Sequence, residues 1–155
     1  MERRKLNFTT FEDILSDVDM IHEKGYVKLG KWDLAQNLEH IRLTMESATQ
    51  QKNFGIPPFI RWILRKTFLK SLLTTRRMKS GFQTSKLLLP KPGAEDKEHE
   101  AKEISAFKDA VSNFSEHQGE YLPNPAFGTL SRKEWQEVQK IHCAHHLSFL
   151  VPNAD

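Results

Sequence analysis

A chain of 155 residues can bury a core without disulfides or a structural metal, so a metal bound here is expected to serve function rather than folding. One cysteine, Cys143, excludes an intramolecular disulfide and implies no oxidising compartment. The formal net charge of +3 is mild, and nucleic-acid binders usually carry a concentrated basic stripe, so no nucleic-acid partner is expected.

The opening, MERRKLNFTTFEDIL, has charges but no apolar run of the signal-peptide kind. No stretch of about 18 apolar residues follows it, so no transmembrane segment is expected and the predicted location is the cytoplasm. The first helix is predicted to start at Thr9 or Thr10, either of which can N-cap. Phe11, Ile14, Leu15, Val18 and Ile21 follow at helical spacing, and Gly25 ends it. The second begins near Asp33 and carries the stripe Leu34, Leu38, Ile41, Met45 and Ala48, fading near Gln51. Gly55-Ile56-Pro57-Pro58 then breaks the chain.

Residues 59–73, FIRWILRKTFLKSLL, mix large apolar side chains with cations around most of the helical wheel. Such a helix is covered on more than one side or lies in an interface. It is expected to form an apolar cover with snorkelling cations or a homodimer contact; a membrane-surface or anion-binding role ranks below these, including an anionic substrate facing Arg76 and Arg77. Residues 79–93 read as loop. The third bundle helix is predicted over 94–117, with an acidic first turn and the stripe Ile104, Phe107, Val111 and Phe114; Gly119 closes it. The last starts at Ser131 with Glu134 completing a capping box, runs to about Leu150 and stops at Pro152. No strand pattern of useful length appears. The fold predicted is all-α: one four-helix bundle domain over residues 1–155, with a helical insertion at 57–80 between helices two and three.

Three of seven histidines fall within KIHCAHHLSFL, residues 140–150. His142 and His146, four apart, stand on one helix face with Cβ atoms roughly 5–6 Å apart, from which imidazoles can reach one ion. His145, three from His142, could replace His146. On a wheel of about 100° per residue all three lean toward the side of Trp135, Val138 and Phe149, the bundle interior. Spacing alone leaves two readings open: a metal site, or histidines that pack and hydrogen-bond. A site needs a third ligand, and His40, flanking the apolar stripe of helix two beside Asn37 and Thr44, is the best candidate. Asn37, Thr44 and Gln139 are candidate pocket groups. His22 and His117 sit at dipole-favoured helix ends, and His99 in an acidic stretch. Cys143 points away from His142 and reads as a small core residue.

Trp32-Asp33-Leu34-Ala35-Gln36-Asn37-Leu38-Glu39-His40 resembles the start of helix two in DinB-like (YfiT-like) proteins. Pro125-Ala126-Phe127-Gly128, Glu134-Trp135 and His142-Cys143-Ala144-His145-His146 resemble the end of one bacterial subgroup of that superfamily, whose function is unknown. The subgroup's opening is similar to Arg4-Lys5-Leu6-Asn7-Phe8, its basic middle to Thr75-Arg76-Arg77-Met78, and its ending to Leu147-Ser148-Phe149-Leu150-Val151-Pro152. The resemblance implies an up-down-down-up bundle with a metal held by His40, His142 and His146, while His145 matches a histidine that need not ligate. It also implies either a transferase activating a low-molecular-weight thiol or a hydrolase activating water, acting on a small-molecule substrate. A binding protein without turnover is the alternative. Zinc is the default metal, with nickel, iron, manganese or cobalt also suited to imidazole. No catalytic base is assigned, and the insertion means that substrate identity does not carry over.

Overall fold

A computed structural model describes residues 2–50, 56–79, 81, 85–93 and 96–154. The expected fading of helix two at Gln51, the break at Gly55 and the start of the third bundle helix at Ala94 fall outside the described residues.

The chain runs α1 (Phe11–Lys24), β1 (Tyr26–Lys28), α2 (Leu34–Glu46), α3 (Pro58–Leu64), a π turn (Arg65–Leu69), α4 (Lys70–Thr75), a 3-10 turn (Lys86–Leu88), α5 (Lys97–Glu116), α6 (Arg132–Leu147) and β2 (Leu150–Pro152). Helices α1, α2, α5 and α6 form the four-helix bundle, and α3 to α4 is the helical insertion between the second and third bundle helices. Local chemistry sets the starts. Thr10, Asp33 and Ser131 each accept the N3 backbone N–H, and Asp13, Gln36 and Glu134 each return a bond to the cap backbone.

Side-chain pairs give the directions. His22 meets Glu100, Lys108 meets Asp19 and Phe11 meets Phe114, so α1 and α5 are antiparallel. Asn37 meets His146 and Thr44 meets His142, so α2 and α6 are antiparallel. The Lys140 ammonium reaches the Thr9 carbonyl, and the strands that follow α1 and α6 pair with each other, so these two helices run the same way. The result is an up-down-down-up order. Its core holds Ile14, Leu38, Phe107 and Trp135, each fully buried.

Several boundaries differ from expectation. Helix α6 ends at Leu147, not Leu150, because Leu150 turns into an antiparallel ribbon with Lys28; Pro152 lies in that ribbon and does not stop the helix. The ribbon's three-residue strands are too short to show alternation in sequence. Gly25 does end α1: its φ of 68° is a left-handed value, and a Cβ there would lie 2.9 Å from Asn153 Nδ2. Helix α2 stops at Glu46, where Ser47 caps it. Helix α5 starts after Asp96, whose carboxylate accepts His99 N–H, and ends at Glu116, short of Gly119; Tyr121 donates to the freed Phe114 carbonyl.

The insertion holds a local irregularity: a π turn over Arg65–Leu69 stands between α3 and α4, and Leu69 and Leu72 are buried. Arg76, in the left-handed region at φ 51°, ends α4. Its guanidinium binds Asn7 Oδ1, the Phe8 carbonyl and Glu137, so it joins the insertion to the N-terminal segment and α6. No helix among the described residues is long and apolar enough to cross a membrane.

Candidate metal centre

Antiparallel packing of α2 on α6 sets His40 opposite the His142–His146 turn. One potential ligand atom from each of the three lies within 4.8 Å of the others. His40 is buried, and His142 is 9% exposed. The ring centroids of His40 and His146, and of His142 and His146, are each 4.6 Å apart. Trp32, just before α2, stacks on His146 at 5.6 Å and tilts against His40 at 5.0 Å, walling one side with an aromatic face.

The hydrogen-bond network assigns the protons. His40 Nδ1 is 2.6 Å from the Leu88 carbonyl, which only accepts, so Nδ1 carries the hydrogen. The Asn37 amide nitrogen donates to the Trp32 and Asp33 carbonyls, which turns its Oδ1 toward His146 Nδ1 at 3.1 Å as an acceptor. The Thr44 hydroxyl donates to the Ile41 carbonyl at 2.7 Å, so its lone pair accepts from His142 Nδ1 at 3.3 Å. Gln139 Oε1 lies 3.3 Å from the same hydroxyl. All three Nδ1 atoms are therefore donors, and each neutral ring keeps a bare Nε2 lone pair.

This donor set fits a divalent cation. His40 Nε2 and His142 Nε2 are 3.2 Å apart. Tetrahedral ligands at about 2.0–2.1 Å from zinc stand about 3.3 Å from each other. Two bare nitrogens facing at that distance repel unless something positive lies between them. Outer acceptors on each Nδ1 are the usual device that fixes a ligating imidazole's tautomer and raises its basicity.

The field keeps the rings neutral. Burial, the largest cause, lowers the pKa of His40 below 6.5; it drives His142 and His146 well below, aided by the neighbouring imidazoles. Lone pairs are thus available at neutral pH without a proton leaving. In the metal-free protein these groups bind protons in the unfolded state before the folded one, so stability is full above pH 6.5 and falls as pH drops below it. Each group adds at most about 1.4 kcal/mol per pH unit. Urea unfolding with chelator at pH 7.5 and pH 5.5 is expected to give a lower midpoint at the acidic value.

His145 is outside the triad. Its Nδ1 lies 3.1 Å from the Met78 carbonyl, and burial with Arg3 nearby lowers its pKa to about 4. Cys143 is fully buried and its pKa is raised by that burial, so it is no thiolate nucleophile. The Arg76 guanidinium is engaged by Asn7, the Phe8 carbonyl and Glu137. One partner had no trace in the sequence: the Leu88 carbonyl, a backbone acceptor from a short 3-10 turn 48 residues beyond His40.

Because Asn37 Oδ1 orients His146, Asn37→Ala is expected to weaken zinc affinity by about 10–100-fold while leaving the binding stoichiometry intact, as read by competition with a chromogenic chelator.

No curated protein and no solved structure matches the chain. A family profile covers residues 1–153, and the chain belongs to that family, DUF1569, a protein family of unknown function.

Proposed function

We propose that residues 1–155 form one DinB-like bundle domain that binds a divalent metal through the Nε2 atoms of His40, His142 and His146, and that it is a metal-dependent enzyme. The observation that carries this is a cluster in which one ligand atom from each of three histidines lies within 4.8 Å of the others, each ring having an acceptor at its Nδ1. Three neutral protein ligands, with a fourth position left to water or substrate, is the pattern of catalytic rather than structural zinc sites. Bound there, the ion would supply a nucleophile at neutral pH, from water or from a low-molecular-weight thiol.

The chain's own residues have defined parts. His40, His142 and His146 present lone pairs; Leu88, Thr44 and Asn37 hold their tautomers; Trp32 shields one side from water. Zinc is the default ion. The reaction class proposed is thiol transfer to an electrophile or hydrolysis of a small molecule, and these two readings share the same centre.

The test uses protein made without an affinity tag. Elemental analysis is expected to find about one divalent ion per chain. A screen of small electrophiles with cysteine-type thiols, alongside ester and amide hydrolysis, should reveal turnover that chelation removes and one metal restores. Stoichiometric metal with no turnover in either screen would leave a binding protein. A metal-free chain that takes up no divalent ion would remove the proposal altogether.

A further inference from the structure

The insertion carries charge and apolar surface that the metal centre does not use. Residues 57–79 contain seven Lys and Arg and no Asp or Glu, while the rest of the chain holds more acids than bases. Two of these cations are turned inward: Arg65 meets Glu134, and Arg76 meets Glu137. Lys66, Lys70, Arg77 and Lys79 are exposed.

Beside them stands an apolar face. Phe59 is 65% exposed, Trp62 62%, Ile63 46% and Ile60 38%: four large apolar side chains within five positions of α3. Leu69 and Leu72, further along the insertion, already bury against the bundle. The N-terminal half of the insertion is therefore more than the apolar cover expected from sequence. It sits by the start of α6, where Arg65 binds the Thr129 carbonyl, whereas the triad occupies the other end of that helix.

The charge pattern chooses between occupants. A two-fold pairing of this face would set cations against cations, with no acid anywhere on the segment to meet them. Tryptophan, phenylalanine and isoleucine flanked by lysines instead match a headgroup boundary, where rings sink into the acyl edge and ammonium groups reach anionic phosphates. We infer that the α3–α4 insertion docks the protein on the surface of an anionic lipid bilayer.

Co-sedimentation of the full chain with phosphatidylglycerol-rich vesicles and with pure phosphatidylcholine vesicles tests this. Binding is expected to the first only and to weaken at high salt. Trp62→Glu should abolish it. Lys66→Glu with Lys70→Glu should weaken it at least about 10-fold, since each cation near an anionic surface is worth roughly 5-fold. All three side chains are exposed, so thermal melts should match the parent's, and the lysine variant serves if Trp62→Glu fails to fold. Equal binding to both vesicles, binding to neither, or full binding by the lysine variant overturns the inference. So does a dimer in sedimentation equilibrium that Trp62→Glu splits, which would put a second copy on this face.

Discussion

Zinc is expected to stabilise the parent chain strongly and the His142→Ala variant not at all. A ligand that binds only the folded state adds about 2.7 kcal/mol at 100 times its dissociation constant and about 4.1 kcal/mol at 1,000 times. For a chain of this size each kcal/mol moves the melting temperature by roughly 2–4 °C, so a rise of roughly 5–15 °C over the chelated protein should appear by calorimetry. His142 is the member to remove because its Nε2 stands 3.2 Å from that of His40. Without it, His40 and His146 remain as two neutral donors, a poor set for tetrahedral zinc. His145→Ala is the control: with its Nδ1 on the Met78 carbonyl, its loss should leave the zinc-dependent rise in place. An equal rise in the parent and in His142→Ala would sink the centre, and a lost rise in His145→Ala would place His145 among the ligands.

Much of the centre could be read from the chain because its signals are local. His142 and His146 share a face by the i,i+4 rule, and Ser131 with Glu134 marks the start of α6 as a capping box. His40 was harder. It lies off the apolar stripe of α2, so periodicity places it beside the core rather than in it. The packing of α2 on α6, with Trp32 and the Leu88 turn, buries it, and the resemblance to DinB-like proteins implied the same third ligand that its place beside Asn37 and Thr44 suggested. Asn37 and Thr44 could be picked out as polar positions near His40, but which nitrogen each would orient depends on rotamers. The Leu88 carbonyl could not be foreseen, since a backbone oxygen has no residue identity. The π turn has no sequence mark either: Arg65–Leu69 reads as ordinary helix, with no glycine or proline to signal the wider turn.

Trp135→Ala is expected to unfold the protein more readily than any change at the metal-free centre while leaving metal stoichiometry alone. Trp135 is fully buried, its indole N–H donates to the Leu122 carbonyl at 3.0 Å, and its ring meets Phe114 and Tyr121 edge-on at 6.0 Å. Truncating such a side chain costs about 3–5 kcal/mol through lost burial and the cavity left behind. At roughly 2–4 °C per kcal/mol, the melting temperature should fall by roughly 6–20 °C. Trp135→Phe separates the contributions: it keeps most of the burial but strands the Leu122 carbonyl, at about 1–3 kcal/mol. Two helical turns separate Trp135 from His142 along α6, and the triad's own contacts run to α2, Leu88 and Trp32 instead. Below its lowered melting point, Trp135→Ala should therefore still bind about one zinc per chain, measured by elemental analysis after gel filtration. Loss of zinc from a variant that keeps the parent's circular dichroism would mean that the aromatic layer, and not only the α2–α6 contact, holds the three imidazoles in register.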